Sequence, residues 1–302
     1  MSSIASAPPD EKIGWIGLGQ IGTPMALRLV DHPGGLVVCD VVPDATRPFA
    51  EKGIEVAADA AAVVAAGATL ISVMVRDDAQ VRAVVAQVVE VAPAGTVVAV
   101  HSTIRPETAE DLALVGARSD IAVLDAPVSG GVAGASTGRL AILLGGDDAV
   151  VERCRSAFAP LAELVVHFGP AGAGTRAKIA RNLVGFIGYV AVSEGLRLAE
   201  AFDLDLLALG KVIRHTDAVT GGAGAIVLRD ETGPLSADHW LRPILAHSAA
   251  LGEKDLDLAV ALAAEAGIEL PLTAIAQAGL ADALGVGPAR VGPERVGPEP
   301  RP

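Results

Sequence analysis

Between residues 12 and 168, short unbroken apolar runs alternate with stretches of helical composition, and this rhythm restricts the chain to few folds. A strand with one wet face alternates apolar and polar residues, whereas a parallel strand covered on both faces reads as continuous hydrocarbon. Residues 70–75 (Leu-Ile-Ser-Val-Met-Val) and 97–100 (Val-Val-Ala-Val) are of the second kind. Similar runs at 12–16, 37–39 and 121–125 are spaced by helical segments at 23–30, 59–66, 79–89 and 106–115. Parallel neighbours need a crossover, commonly a helix, so the pattern predicts a doubly wound α/β sheet of the Rossmann type. Residues 141–144 and 165–168, with a helix at 147–161 between them, are expected to extend that sheet.

The character changes at the small-residue stretch 169–174 (Gly-Pro-Ala-Gly-Ala-Gly). From Thr175 onward the chain reads as helix after helix, with breaks near Asp203, at 221–224 and at Gly267. The expected organisation is a flexible N-terminus (1–11), a Rossmann domain (12–168), an all-α domain (169–285) and a disordered Pro/Gly-rich tail (286–302). Residues 183–193 carry no charge. A helix of that composition should be surrounded by protein, either as core or as a subunit interface.

With 302 residues and 51% hydrophobic content, the chain can bury a sizeable core, and its size suits about two domains. A net charge of −13 argues against nucleic acid or an anionic membrane as partner and favours small-molecule chemistry. Cys39 and Cys154 have neither the spacing nor the histidine company of a metal site, so no metal and no disulfide are expected. No secretory signal and no transmembrane-length apolar run are present, which makes the cytoplasm the expected location. Lysine is scarce, five against eighteen arginines, so a retained lysine is informative. Its proton can be lost near working pH, whereas that of arginine cannot.

The run Gly17-Leu18-Gly19-Gln20-Ile21-Gly22 leaves the first strand and opens a helix, and Asp40 ends the next strand eighteen residues after Gly22. In that context Gly17 makes the tight turn, Gly19 lets a pyrophosphate approach the backbone, and Gly22 lets helix and strand pack closely. Asp40 can take both ribose hydroxyls and would repel a 2′-phosphate, which favours NAD; Arg47 nearby leaves NADP open. Farther on, Ser129, Gly130 and Gly131 follow a strand in a turn that can present amides and a hydroxyl to a carboxylate. Lys178 and Asn182 lie four apart on one helix face, which continues through Gly185 and Tyr189.

These residues together resemble the β-hydroxyacid dehydrogenase family, of the 3-hydroxyisobutyrate dehydrogenase and tartronate semialdehyde reductase type. The resemblance spans about residues 12–284 and adds Met25-Ala26, Ser102-Thr103-Ile104, Asp125-Ala126-Pro127-Val128, Gly138-Arg139-Leu140, Gly172-Ala173-Gly174 and Lys254-Asp255-Leu256. It implies that Lys178 is the catalytic acid/base and that Asn182 helps to hold substrate. Ser129, Gly130 and Gly131 would cradle the substrate carboxylate. Met74, Val75 and Thr103 would line the nicotinamide end, and Lys254 would reach the cofactor. The implied activity is NAD(P)-dependent hydride transfer with a small carboxylated alcohol or its semialdehyde, in a homodimer or homotetramer built through the helical domain.

As hydride leaves the carbinol carbon, the hydroxyl proton needs an acceptor, which an amine supplies. Burial would lower the pKa of that amine and a substrate carboxylate would raise it again. Three positions depart from the family pattern: His101 stands where an acidic residue often precedes Ser-Thr, Arg28 replaces a common asparagine, and no aromatic but Trp240 approaches Lys254. The rival readings are an imine reductase of the same superfamily, a decarboxylating 6-phosphogluconate-type enzyme, and a non-catalytic NAD-binding module.

Overall fold

The computed structural model describes residues 11–201, 203–221, 228–229, 233–266 and 270–287. The Gly222–Gly224 part of the second break, Gly267 and the repeated Val-Gly-Pro tail beyond 287 lie outside the described residues. The chain divides into two compact units, one ending at Ala180 and the other beginning at Arg181.

The first unit opens with β1 (Ile13–Ile16), α1 (Gly22–Leu27), β2 (Leu36–Cys39), α2 (Pro43–Ala50), β3 (Glu55–Val56) and α3 (Ala60–Ala65). It continues with β4 (Leu70–Val73), α4 (Asp78–Val91), β5 (Val97–Val100), α5 (Pro106–Ala117) and β6 (Ala122–Asp125). These six strands form one sheet in the order β3-β2-β1-β4-β5-β6, and every pairing in it is parallel. Both faces are covered, as continuous apolar strands require. Ile13, Trp15, Val38, Leu70, Val97 and Leu124 join one buried cluster, while Ile16, Val37, Ile71, Val73, Val98 and Val100 join the other. The chain lays β2 and β3 on one side of β1 and then crosses to β4 on its other side, so the strand order reverses between β1 and β4, the switch point at which sheets of this kind bind ligands.

The later strands depart from the expected extension of this sheet. β7 (Val128–Ser129), β8 (Leu140–Leu144) and β9 (Ala162–His167), with α6 (Gly131–Thr137) and α7 (Asp148–Phe158) between them, make a separate sheet in the order β7-β8-β9. One edge of β8 pairs antiparallel with β7 and the other pairs with β9. Neither edge remains for β6, whose backbone is joined to the residue after β8 by the bridge between Asp125 and Gly145.

Glu11, which closes the stretch expected to be loose, is held. Its carboxylate pairs with Arg153 and accepts from Thr69 Oγ1 at 2.7 Å.

His101 is a core residue. Its ring stacks on Trp15 with centroids 5.5 Å apart and meets Phe158 edge-on. Nδ1 lies 2.9 Å from the Ala126 carbonyl, so it carries the proton, and Nε2, 3.1 Å from Ser72 Oγ, accepts from that hydroxyl. Burial lowers the imidazole pKa from 6.5 to about 4. The unfolded chain therefore binds the proton first, and the contribution of His101 to stability is complete above pH 6.5 and is lost as pH falls toward 4. That window is worth about 3 kcal/mol. Urea unfolding of wild type and His101→Phe at pH 7 and pH 4 should show a shallower acid loss in the variant; equal losses would remove His101 as the cause.

The second unit is helical. It contains the larger part of α8 (Ala173–Ala201), whose opening turns belong to the first unit, followed by α9 (Leu206–Thr220), α10 (Arg242–Ala266) and α11 (Pro271–Ala283). Asp205 caps α9 by accepting from Leu207 N–H at 2.8 Å and Ala208 N–H at 3.1 Å. Leu245, Ala249 and Leu256 of α10 form a core with Ala276 and Leu280 of α11, and Leu183, Phe186, Ile187 and Val190 of α8 pack on it. A Cβ on Gly252 would fall 2.4 Å from Leu280 and 2.7 Å from Phe186, so glycine permits that crossing. The uncharged stretch of α8 is not wholly enclosed, because Val184 is 75% exposed.

Candidate active site

The carboxyl ends of five parallel strands deliver most of the sequence-predicted residues of the first unit. Gly17 follows β1, Asp40 follows β2, Met74 and Val75 follow β4, Thr103 follows β5, and Asp125 ends β6 on the way to Ser129.

The glycine turn is tightly determined. Gly17 has φ +99°, and a Cβ there would lie 2.2 Å from the Met74 carbonyl oxygen, so the turn is pressed against the end of β4. A Cβ on Gly22 would stand 2.1 Å from the Gly17 oxygen. Trp15 Nε1 donates to that same oxygen at 3.0 Å, and Thr23 Oγ1 donates to the Leu18 oxygen at 2.6 Å. Gly19 differs from both, since nothing lies within 4 Å of a Cβ built on it. The turn is thus rigid where it meets protein and open where a diphosphate would approach, which fits a dinucleotide. α1 has only six residues, so close backbone approach contributes more here than a helix dipole.

Asp40 takes part in shaping the turn. Its Oδ2 accepts from Leu18 N–H at 2.5 Å and its Oδ1 from Val42 N–H at 2.7 Å. Each oxygen retains acceptor capacity for a ribose hydroxyl. Arg47, the cation that left NADP open, is ion-paired with Asp44 on the surface of α2.

Sequence reasoning singled out Thr103, which is half-buried, but missed the work of its neighbour. Ser102 Oγ accepts from Val75 N–H at 2.9 Å and donates to the Val75 carbonyl at 2.6 Å, so it clamps the segment expected to line the nicotinamide. Ser129 is half-buried, and Gly130 and Gly131 are exposed with φ +131° and +60°. Of the departures from the family pattern, Arg28 is turned to the Pro160 carbonyl, to which its Nε donates at 3.2 Å, and Trp240 is 71% exposed.

Lys178 lies in the second turn of α8 and is only 8% exposed, unusual for a residue that normally keeps its head in water. Asn182 follows one turn later, at the start of the second unit. There its Nδ2 donates to Asp255 Oδ2, and Asp255 is itself 5% exposed. Lys254 Nζ lies 3.2 Å from Asp255 Oδ1, so the Lys-Asp-Leu segment contributes a carboxylate that orients Asn182 as well as a cation. Among the described residues no group of three or more His, Cys, Asp or Glu is placed to hold a metal ion, and no helix is long and apolar enough to cross a membrane.

A parallel sheet with a rigid glycine turn at its switch point and an acidic residue after the neighbouring strand is the geometry of a dinucleotide-binding unit. Comparison with known proteins specifies it further. Residues 12–169 match the profile of the NAD binding domain of 6-phosphogluconate dehydrogenase, and residues 172–290 match that described as NAD-binding of NADP-dependent 3-hydroxyisobutyrate dehydrogenase. An uncharacterized oxidoreductase of Mycobacterium tuberculosis is 49% identical, over 92% of this chain and 95% of that protein. An NAD-dependent L-serine dehydrogenase of Pseudomonas aeruginosa is 31% identical, over 88% and 90% respectively. Among solved structures, a Mycobacterium tuberculosis 3-hydroxyisobutyrate dehydrogenase with L-serine superposes with a TM-score of 0.75 at 31% identity, covering 90% of this chain and 92% of that one. The chain belongs to the β-hydroxyacid dehydrogenase family and is an NAD(P)-dependent oxidoreductase.

Proposed function

We propose that this enzyme transfers hydride between NAD and a small β-hydroxy acid of the 3-hydroxyisobutyrate or serine type, with Lys178 as general acid/base. The observation that carries the reading is the burial of Lys178, which is 8% exposed although a lysine head group ordinarily stays in water, on the helix that also carries Asn182 one turn on. The names of the relatives at 31% identity support the substrate class.

The bound nicotinamide supplies the hydride-accepting ring. The protein supplies the rest of the chemistry. Lys178 Nζ takes the hydroxyl proton as the carbinol is oxidised and returns it in the reverse direction. Its ammonium form stabilises the alkoxide character that develops at the same oxygen. Ser129, Gly130 and Gly131 bind the carboxylate, and Asn182, held by Asp255, orients the substrate. Gly17 to Gly22 hold the diphosphate, Asp40 the ribose, and Met74, Val75 and Thr103 flank the nicotinamide, with Lys254 as a further cofactor contact.

The paired Arg47 and the neighbouring Asp40 and Asp44 favour NAD over NADP. A panel assayed at 340 nm should therefore give turnover with 3-hydroxyisobutyrate or serine, none with cyclic imines, and kcat/KM about tenfold or more higher with NAD, the equivalent of ~1.4 kcal/mol. Imine reduction without hydroxy-acid oxidation would reverse the substrate assignment.

The helical unit is also proposed to pair with a second copy, in a cytoplasmic homodimer or homotetramer. Val184, Val219, Leu272 and Ile275 expose apolar side chains there, at 75%, 80%, 62% and 59%. Sedimentation velocity at micromolar concentration should show no monomer; a single monomeric boundary would exclude this arrangement.

A further inference from the structure

The carboxylate of Asp125 is 2% exposed, and both of its oxygens are committed to the start of α8. Oδ1 accepts from Gly172 N–H at 2.7 Å and Oδ2 from Thr175 N–H at 2.6 Å. A helix usually has its first amides satisfied by the side chain just ahead of it. Here that neighbourhood is Gly172 and Ala173, with no acceptor to offer, so the cap comes from the end of β6, 47 residues before Gly172 in sequence.

The backbone of Asp125 also bridges to the residue just after β8, with Gly145 N–H donating to the Asp125 oxygen at 2.8 Å. Two glycines make the fit close. A Cβ on Gly145 would lie 2.3 Å from Asp125 Oδ1, and a Cβ on Gly174 would lie 2.3 Å from the Leu143 oxygen. The first turn of α8 therefore has little freedom to slide or rotate. Lys178 comes one turn after Thr175, and helical side chains lean toward the N-terminus, so any slip of that turn passes directly to the ammonium. Four residues beyond Asp125, the same strand exit reaches Ser129, the start of the proposed carboxylate cradle.

We propose that Asp125 is a positioning residue for the reaction: by capping α8 from the end of β6, it fixes Lys178 relative to the Ser129-Gly130-Gly131 turn. The inference rests on Lys178 being the acid/base. A plain stabilising cap would make a different prediction, because it would lower the melting temperature without acting through the lysine.

The test is a double-mutant cycle in the full-length enzyme with Asp125→Asn and Lys178→Ala, measuring kcat, KM, NADH affinity by fluorescence and melting temperature. The isosteric amide keeps the volume but turns an N–H toward one of the two buried donors. Asp125→Asn should lower kcat by about 10- to 100-fold, in the range of a small misplacement of a reacting group, with NADH affinity within about twofold. In the Lys178→Ala background, with turnover restored by added methylamine, the same substitution should change kcat by less than about threefold, since a free amine needs no helix to hold it. Equal losses in both backgrounds, or a lower melting temperature with unchanged kcat, would overturn the proposal. Near-normal turnover of Lys178→Ala alone would instead dismiss the acid/base reading and leave the Asp125 cap as structure. If the Asn variant does not fold, Asp125→Ser, which keeps an acceptor without the charge, carries the same two comparisons.

Discussion

Replacing Lys178 with alanine is expected to lower kcat by about 100- to 10,000-fold, the range of a positioned proton-transfer group. Affinity for NADH should remain nearly unchanged. The separation follows from placement: the groups proposed to hold the diphosphate and ribose lie in the turn after β1 and at the end of β2, whereas Lys178 stands on α8. Lys178→Arg should not restore turnover, because a guanidinium keeps its proton at any working pH and its planar fork does not reproduce the point contact of an amine. Added primary amines should restore part of the rate to Lys178→Ala and little to Lys178→Arg, whose larger side chain fills the space. Stopped-flow hydride transfer with saturating cofactor, paired with NADH fluorescence titration, measures both quantities. Turnover of Lys178→Ala within about threefold of wild type would end the role proposed for this side chain, whatever became of the fold.

The sheet-bearing unit was legible because buried parallel strands write themselves as unbroken apolar runs. Residues 13–16, 36–39, 70–73, 97–100 and 122–125 were each visible in that way. What stayed hidden lacked that signal. α2 begins at a proline and contains Pro48, and β3 is two exposed residues with no apolar run to announce them. The misplaced third of the unit shows a different limit. Apolar runs at β8 and β9 reveal that strands exist but not which edges pair, and the short β7 occupied the edge that would have joined β6.

At the proposed site, residues expected to meet ligand through the backbone or through a lone cation are visible as types in a pattern. Those that act by holding another residue are not. Ser102 was noticed only as part of a motif, yet its hydroxyl clamps Val75. Asp255 sat beside the lysine that drew attention and turns out to bind Asn182. Asp125 read as the entry to a turn, and its partners lie some fifty residues downstream, which no local spacing could disclose. His101 drew notice as a departure from pattern. Its surroundings explain it as a neutral ring satisfied by one carbonyl and one hydroxyl.

Two glycines of one turn should fail in opposite ways when given a methyl group. At Gly17 the backbone is left-handed, with φ +99°, and the new Cβ would stand 2.2 Å from one backbone atom of Met74 and 2.7 Å from another. Neither strand end can retreat easily, because Gly17 N–H donates to the Cys39 oxygen at 2.9 Å and Met74 N–H donates to the Ile16 oxygen at 2.8 Å. Conformational strain and backbone overlap together should cost Gly17→Ala about 3 kcal/mol or more, a fall of roughly 10 °C in the melting of a unit this size. Gly19→Ala meets no atom within 4 Å, and its melting temperature without cofactor should stay within about 2 °C of wild type. Its methyl group instead takes the space a diphosphate needs, which should weaken NADH binding by about tenfold or more. Differential scanning fluorimetry with and without NADH reads both effects. At 100 times the wild-type Kd, ligand adds about 2.7 kcal/mol to wild type and only about 1.4 kcal/mol to a variant binding tenfold more weakly. Equal melting temperatures for the two variants without cofactor would contradict the packing of the turn, and an undiminished NADH shift in Gly19→Ala would place the diphosphate elsewhere.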